Sequence, residues 1–256
     1  MYQPAVVSIC TPDETHFELV CETLLSSYFP RVIFLEKPAC SSKDQYEAML
    51  NLANKRGTVV VVNHSRRFNS NILELRNRIA SGEYGRLVRA RSVYYSGWRH
   101  NATHIIDTLS FLFDDSISIV SIDHVFKSLY EDDPTMEVTA VLNRLNAPVE
   151  IRAIDEAFYQ LFEFDLWFEN ARLRLEDFGE RIILEKRVVN QIQERVLELV
   201  SVELPDLRKT AMQEAVDRIV DYLKTNDAAV LSGCRLEDID QTIETLWEAQ
   251  QLYEKT

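Results

Sequence analysis

The sequence predicts an α/β chain in two parts: a helix-covered parallel sheet, then an α/β unit of α+β type with a large open, mostly antiparallel sheet. Two observations give the first part. Val6-Val-Ser-Ile-Cys10, Val32-Ile-Phe-Leu35 and Val59-Val-Val-Val62 are short apolar runs, and each is followed by a stretch of helical periodicity. Strands buried on both faces read as continuous apolar runs, and strand–helix alternation builds a parallel sheet through right-handed crossovers. A third observation gives the second part. From Arg86 onward, strand-like stretches follow one another with turn-length gaps and few helices. That is the pattern of an open antiparallel sheet with helices on one face.

In chain order, Thr11-Pro-Asp-Glu14 after the first strand reads as a capping box, with Thr11 as N-cap and Pro12 at the first helical position. Phe17, Val20, Cys21, Leu24, Leu25 and Tyr28 then fall on one helical face. The second strand runs into Glu36-Lys37-Pro38. Ser42 and Gln45 cap the next helix, Tyr46, Met49, Leu50 and Ala53 point inward, and Gly57 ends it. The third strand runs into Asn63-His-Ser-Arg-Arg-Phe68, and a helix carrying Ile72, Leu75 and Ile79 closes at Gly82. Two glycines bracket the turn Ser81-Gly-Glu-Tyr-Gly85, so the domain boundary is set at residues 83/84. Arg86–Tyr95 reads as a long strand, and Ala102–Phe113 as a helix burying Ile105, Ile106, Leu109, Leu112 and Phe113. Strands are predicted at 117–126, 136–145, 149–154, 161–168, 173–178 and 181–185. Asn146-Ala-Pro148 and Phe178-Gly-Glu180 have hairpin character. Two helices finish the chain, one burying Met212, Ala215, Val216, Ile219 and Leu223, the other presenting Ile239, Ile243, Leu246, Trp247 and Gln250.

Composition narrows the function. The 256 residues carry 28 Lys and Arg against 41 Asp and Glu, a net charge of −13. Nucleic acids and anionic membranes require a basic footprint, so neither is an expected partner. No apolar run approaches a membrane span, and no signal peptide is read. Cys10, Cys21, Cys40 and Cys234 lack metal-type spacing and read as reduced thiols. The expectation is a soluble cytoplasmic protein.

Two stretches place chemistry. Lys37 lies at the carboxyl end of a parallel strand, the side of such sheets that faces the ligand crevice. Pro38 denies Lys37 the helical region and permits a cis bond. The plainer reading is one solvated lysine in a loop. The second stretch is Gly97-Trp-Arg-His-Asn-Ala-Thr-His-Ile-Ile-Asp107, with His100 and His104 four apart. Three readings of the pair stay open on the residues alone. His104 is a buried structural side chain with Asn101 or Thr103 as a cap, or a general acid/base facing Lys37, or half of a zinc pair. No third ligand is visible, so no metal is assigned.

Taken jointly, Val7-Ser-Ile-Cys-Thr-Pro12 with His16, Glu36-Lys37-Pro38, Arg67-Phe68, Gly82-x-x-Gly85 and His104-Ile-Ile-Asp107 resemble the Gfo/Idh/MocA oxidoreductases in order and spacing. These are the glucose–fructose oxidoreductase and inositol dehydrogenase family, and the resemblance runs over essentially the whole chain. It implies the carboxyl-terminal part of a Rossmann-type nucleotide-binding domain over residues 1–83, then a substrate and oligomerisation domain over 84–256. It implies NAD or NADP as cofactor, and hydride transfer at a hydroxyl-bearing carbon of a sugar, cyclitol or nucleotide sugar. By the resemblance, Thr11, Pro12, His16, Glu36, Lys37 and Pro38 lie against the cofactor, and Lys37 and His104 are the catalytic pair. Asn63, Arg67, Tyr95, Trp98, His100 and Asn101 are expected around the substrate; the plainer readings are a surface ion pair for Arg67 and packing for Tyr95 and Trp98. The chemistry agrees: a neutral imidazole can take the hydroxyl proton, and a nearby ammonium stabilises alkoxide character.

Two features depart from the family pattern. His100 stands where many members carry Asp, four residues before His104. The first glycine is Gly57, so no Gly-x-Gly-x-x-Gly fingerprint occurs to cradle a pyrophosphate. Against the family, the front half of the nucleotide domain is absent from this sequence. Val6–Cys10 is then expected to be an exposed apolar sheet edge; either another chain covers it, or the missing segment is supplied elsewhere, or the sequence is a fragment. A second hypothesis follows, a non-catalytic subunit or ligand-binding module. Leu161-Phe-Glu-Phe-Asp-Leu-Trp-Phe168 is apolar on both faces in places, which predicts a homo-oligomer through the open sheet. Arg66, Arg67 and Arg99 are the groups that could meet a phosphate or carboxylate.

Overall fold

A computed structural model describes residues 3–203 and 210–255. The first part contains β1 (Val6–Ile9), α1 (His16–Leu25), β2 (Val32–Leu35), α2 (Lys43–Arg56), β3 (Val59–Val62) and α3 (Ser70–Ala80). The second contains β4 (Leu87–Tyr95), α4 (Thr103–Phe113), β5 (Ile117–Phe126), β6 (Thr135–Leu142), β7 (Ala147–Ile154), β8 (Glu163–Phe168), β9 (Ala171–Glu176), β10 (Arg181–Val189), β11 (Arg195–Glu203), α5 (Ala211–Thr225) and α6 (Asp240–Tyr253).

The first three strands form a parallel sheet in the order β1-β2-β3, with Val6, Val32 and Val59 in register. All four residues of β2 are buried, as a central strand covered on both faces requires. On one face Ile9, Ile33, Leu35, Val60 and Val62 pack with Val20, Leu24, Met49 and Ala53 of α1 and α2. On the other, Val32, Phe34 and Val61 pack with Phe68 and with Ala215, Ile219 and Tyr222 of α5. A backbone bridge between Val61 and Arg235 closes the β3 side. The tail of the chain thus returns to the first sheet, which a division at 83/84 does not foresee.

The second sheet has eight strands in the order β11-β10-β9-β8-β4-β7-β6-β5. Only the β4–β7 pair is parallel. Its inner face, including Ala90, Val138, Val149, Ile151, Leu166 and Leu173, shares one core with Ile105, Ile106, Leu109 and Leu112 of α4. This is the mostly antiparallel open sheet that the sequence predicts.

Several local expectations differ. Thr11 and Glu14 form no capping box. A 3-10 turn at Asp13–Thr15 precedes α1, and the Thr11 and Thr15 hydroxyls pair at 2.7 Å. Leu25 is 63 % exposed rather than on the inner face. Met212 and Val216 face solvent, and Tyr222 takes the inner contact on α5. In β8 and the residue before it, Phe162, Phe164, Leu166 and Phe168 are buried, whereas Glu163, Asp165 and Trp167 share the other face half-buried. Burial alternates strictly along that strand, and Trp167 is the apolar residue it puts on the outer face. β1 lies at the edge of its sheet, as expected, with no second strand partner among the described residues; Val6 and Val7 are half-buried and Ile9 is buried.

Candidate active site

Two loops at the carboxyl ends of β1 and β2 are tied together from below. His16 is buried, and its ring nitrogens lie 2.8 Å from the Pro38 carbonyl and 2.9 Å from the Thr11 carbonyl. The Lys37–Pro38 bond is cis. Glu36 accepts a 2.7 Å hydrogen bond from Asn63 at the end of β3, so all three strand ends meet here. Lys37 reaches across to the second part of the chain. Its Nζ donates to the His100 carbonyl at 2.7 Å. Burial lowers the Lys37 pKa, opposed by Glu36, Asp13 and Asp133.

The segment that receives Lys37 is a wide π-type turn, Trp98–Ala102, that runs into α4. Such turns concentrate at functional sites. The Asp133 carboxylate anchors it by accepting from the Arg99 and His100 amides at 2.8 and 2.9 Å. Gly97 makes this approach possible: at φ +82°, a Cβ there would lie 2.6 Å from Asp133 Oδ2. The His100 ring sits between Asp133 (2.8 Å) and Asp13 (3.4 Å) and stacks on Tyr130. His100 therefore joins the turn after β1 to the second sheet.

His104 follows one turn later. Its ring contacts His64 and Phe162 edge-on, with centroids 6.2 and 5.9 Å away. Burial pushes its pKa well below the usual value, and Arg66, Lys37 and His64 push the same way. His64 is buried, and its pKa falls to about 4, chiefly from burial, against the pull of Asp107. At 3.5 Å from Asp107, its Nδ1 makes no hydrogen bond. At neutral pH this is a neutral ring beside a carboxylate, not an ion pair. The Asp107 carboxylate is held by Arg67 at 3.0 Å and by the Thr242 hydroxyl at 3.1 Å. Burial acts to raise the Asp107 pKa, but Arg67 and His64 leave it lowered.

Residues 1–64 match the family model described as "Oxidoreductase family, NAD-binding Rossmann fold". D-glucoside 3-dehydrogenase of Escherichia coli is 29% identical over 85 residues, 33% of this chain and 23% of that protein. The matched stretch thus spans about a quarter of that curated relative. An inositol dehydrogenase homolog from Azotobacter vinelandii, complexed with NADH and myo-inositol, is 18% identical with a TM-score of 0.70, over 98% of this chain and 76% of that one. A super-repressor mutant of Gal80p from Saccharomyces cerevisiae is 15% identical with a TM-score of 0.72, over 97% of this chain and 77% of that one. Residues 1–64 are thus similar to this oxidoreductase family, and the chain as a whole shares the fold of these two structures. At these identities the structural likenesses establish the fold.

Within this fold, the residues singled out from sequence divide in two. Glu36, Lys37, Asn63 and His100 are linked by direct hydrogen bonds, and His104 lies within the electrostatic reach of Lys37. Thr11 and Pro12 are exposed on the adjoining loop, whereas Pro38 and His16 are buried beneath it. The remaining side chains are committed elsewhere. Trp98 is buried, with its indole N–H given to the Leu246 carbonyl at 3.1 Å. Arg67 is buried on Asp107 and the Gly233 carbonyl, not at the surface. Asn101 donates to the Ser96 carbonyl at 2.6 Å. Tyr95 packs edge-on against Phe178, which stacks on Phe162 and so connects to His104. Sequence reasoning missed His64, Asp133, Asp13 and Phe162. His64 had a signal, its place at the end of β3; Asp133 lies in a loop with none. Two surface hollows, of about 450 Å³ beside Trp247 and about 340 Å³ beside Ser110, lie away from Lys37 and His104. Among the described residues no helix is long and apolar enough to cross a membrane.

Proposed function

We propose that this chain works as a nicotinamide-dependent oxidoreductase of the Gfo/Idh/MocA type on a sugar, cyclitol or nucleotide-sugar hydroxyl, with Lys37 and His104 at the reacting centre. The observation that carries the reading is the 2.7 Å bond from Lys37 to the His100 carbonyl. It joins the strand-end lysine of the first sheet to the turn that leads into His104. The division at 83/84 into nucleotide and substrate parts belongs to the same proposal, with α5 packing across it.

The residues present fit one end of a dinucleotide. The exposed Thr11–Pro12 loop and the Glu36–Lys37 loop line the carboxyl ends of parallel strands, where nucleotides bind in such sheets. Bound NAD or NADP supplies a hydride acceptor. The chain's own groups handle the proton. His104 is neutral at pH 7 because its pKa is lowered, so its ring can accept the hydroxyl proton. The Lys37 ammonium stabilises the negative charge that develops on the oxygen. Phe162 and His64 keep water from one side of the imidazole.

A second reading is a non-catalytic ligand-binding subunit. It draws on the absence of a glycine-rich fingerprint in these 256 residues and on the likeness to Gal80p, described as a repressor. Melting the purified protein with NAD and with NADP separates the two. A ligand that binds the native state at 100 times its Kd adds about 2.7 kcal/mol of stability. The enzyme reading expects a rise in melting temperature at millimolar cofactor. No rise with either cofactor discards the stand-alone enzyme.

A further inference from the structure

Of the three arginines that could meet an anion, two are already neutralised. Arg67 pairs with Asp107, and Arg99 lies 3.6 Å from Asp133 and donates to the Asp132 carbonyl. Arg66 is different. Among the described residues it has no carboxylate partner, and its one hydrogen bond goes to the Phe178 carbonyl. Its guanidinium lies 4.3 Å from the centre of the Phe162 ring, the ring that His104 also touches. Gly179 leaves room for this placement: a Cβ there would stand 2.9 Å from Arg66 Nε. Nε is buried without a partner, and Nη1 has no protein partner among the described residues. Asp107 and Glu180 act on Arg66 only at longer range.

This is a held, unneutralised guanidinium in a chain of net charge −13. Fixing it between an aromatic face and a carbonyl removes much of the entropy that a ligand would otherwise have to overcome. Lys37 also acts on His104, so both cations stand within electrostatic reach of its ring. An uncharged polyol needs neither. A carboxylate or phosphate would meet donors in the fork geometry that matches its oxygens.

We propose that Arg66 reads an anionic substituent, a carboxylate or a phosphate, on the sugar-type substrate whose hydroxyl faces His104. The inference rests on the oxidoreductase reading for the role of His104, but binding tests it without turnover. The probes are D-glucuronate, glucose 6-phosphate and glucose, titrated by calorimetry into wild-type protein, Arg66→Met and Arg66→Lys. Met keeps an apolar stem over Phe162 and drops the charge; Lys keeps the charge and drops the fork. At least one anionic probe is expected to bind wild type more tightly than glucose. Arg66→Met should lose on the order of tenfold to a hundredfold of that affinity. Glucose binding should stay unchanged, and Arg66→Lys should fall between. The uronate and phosphate arms distinguish the two sources of charge. If Arg66→Met does not fold, the Lys variant and a salt titration of wild type carry the same test. No anion preference in wild type, or a preference that survives loss of the guanidinium, overturns the proposal. An anion preference with no cofactor protection would remove the oxidoreductase reading and leave this one standing.

Discussion

His64 is the residue whose setting has the clearest thermodynamic consequence. It is buried, and its pKa drops to about 4 from the usual 6.5, mainly because burial penalises the charged ring. The unfolded chain binds a proton near pH 6.5 and the folded chain resists it until about pH 4. Between those values the unfolded state holds more protons, so stability rises with pH and is lost as pH falls. A shift of this size is worth roughly 3 kcal/mol once both states are charged. His104 is shifted in the same direction and adds to the loss. Replacing His64 with Gln should therefore flatten the decline between pH 6.5 and 4 without abolishing it. Denaturant melts at pH 7 and pH 4.5 would measure this; an unchanged difference between wild type and variant would contradict the burial argument. Part of this setting is legible from sequence, because a His after an apolar strand must sit at a strand end. Its neighbours are not. Asp107 and His104 both come from α4, and only the tertiary fold brings them within reach of His64.

At the scale of elements, apolar periodicity was a good guide where one face is wholly buried. Ile105, Ile106, Leu109 and Leu112 of α4 are 0–2 % exposed, as their spacing predicts. Leu109→Ala should cost about 2–5 kcal/mol, the range for an aliphatic side chain removed from a core that relaxes incompletely. Chemical denaturation would report it as a lower midpoint with an unchanged slope. A cost under 1 kcal/mol would mean that Leu109 is not part of the core that α4 shares with the second sheet. Periodicity misled where a face is only part-covered. On α5, spacing selects Met212 and Val216 equally with Ala215 and Ile219, but the surface formed by Phe34 and Phe68 buries the latter pair and Tyr222, with Ala211 and Leu223 packed part-buried beside them. Strand β11 went unseen for a related reason. The pairing passes from Leu184/Ser201 to Glu185/Leu199, so Val200 is an extra residue in β11 that breaks its alternation, and Leu197, Leu199, Val200 and Val202 are all at least 43 % exposed. No single buried face marks it.

That strand matters for the whole molecule. The eight-stranded sheet ends at β11, whose outer edge has no strand partner among the described residues. Elsewhere the open face is well defended. Arg172 and Asp165 form a 2.6 Å pair, Arg174 and Glu176 pair at 2.7 Å, and Arg152 and Asp123 pair at 2.7 Å. Charges on the open face suit water or a polar partner. An apolar strand edge suits neither and is a ready template for another strand. The expectation of a homo-oligomer through the open sheet therefore narrows to the β11 end of that sheet, with a second copy as occupant. Light scattering at micromolar concentration should give a dimer mass or a multiple of it. Leu199→Lys combined with Val200→Lys places two charges at exposed positions of the strand and should shift the mass to a monomer. Both side chains are already more than half exposed, so the melting temperature of the monomer should change little. A wild-type monomer at that concentration would remove the argument. A dimer that survives both lysines would move the contact from the edge to the charged face, where salt rather than lysine should break it.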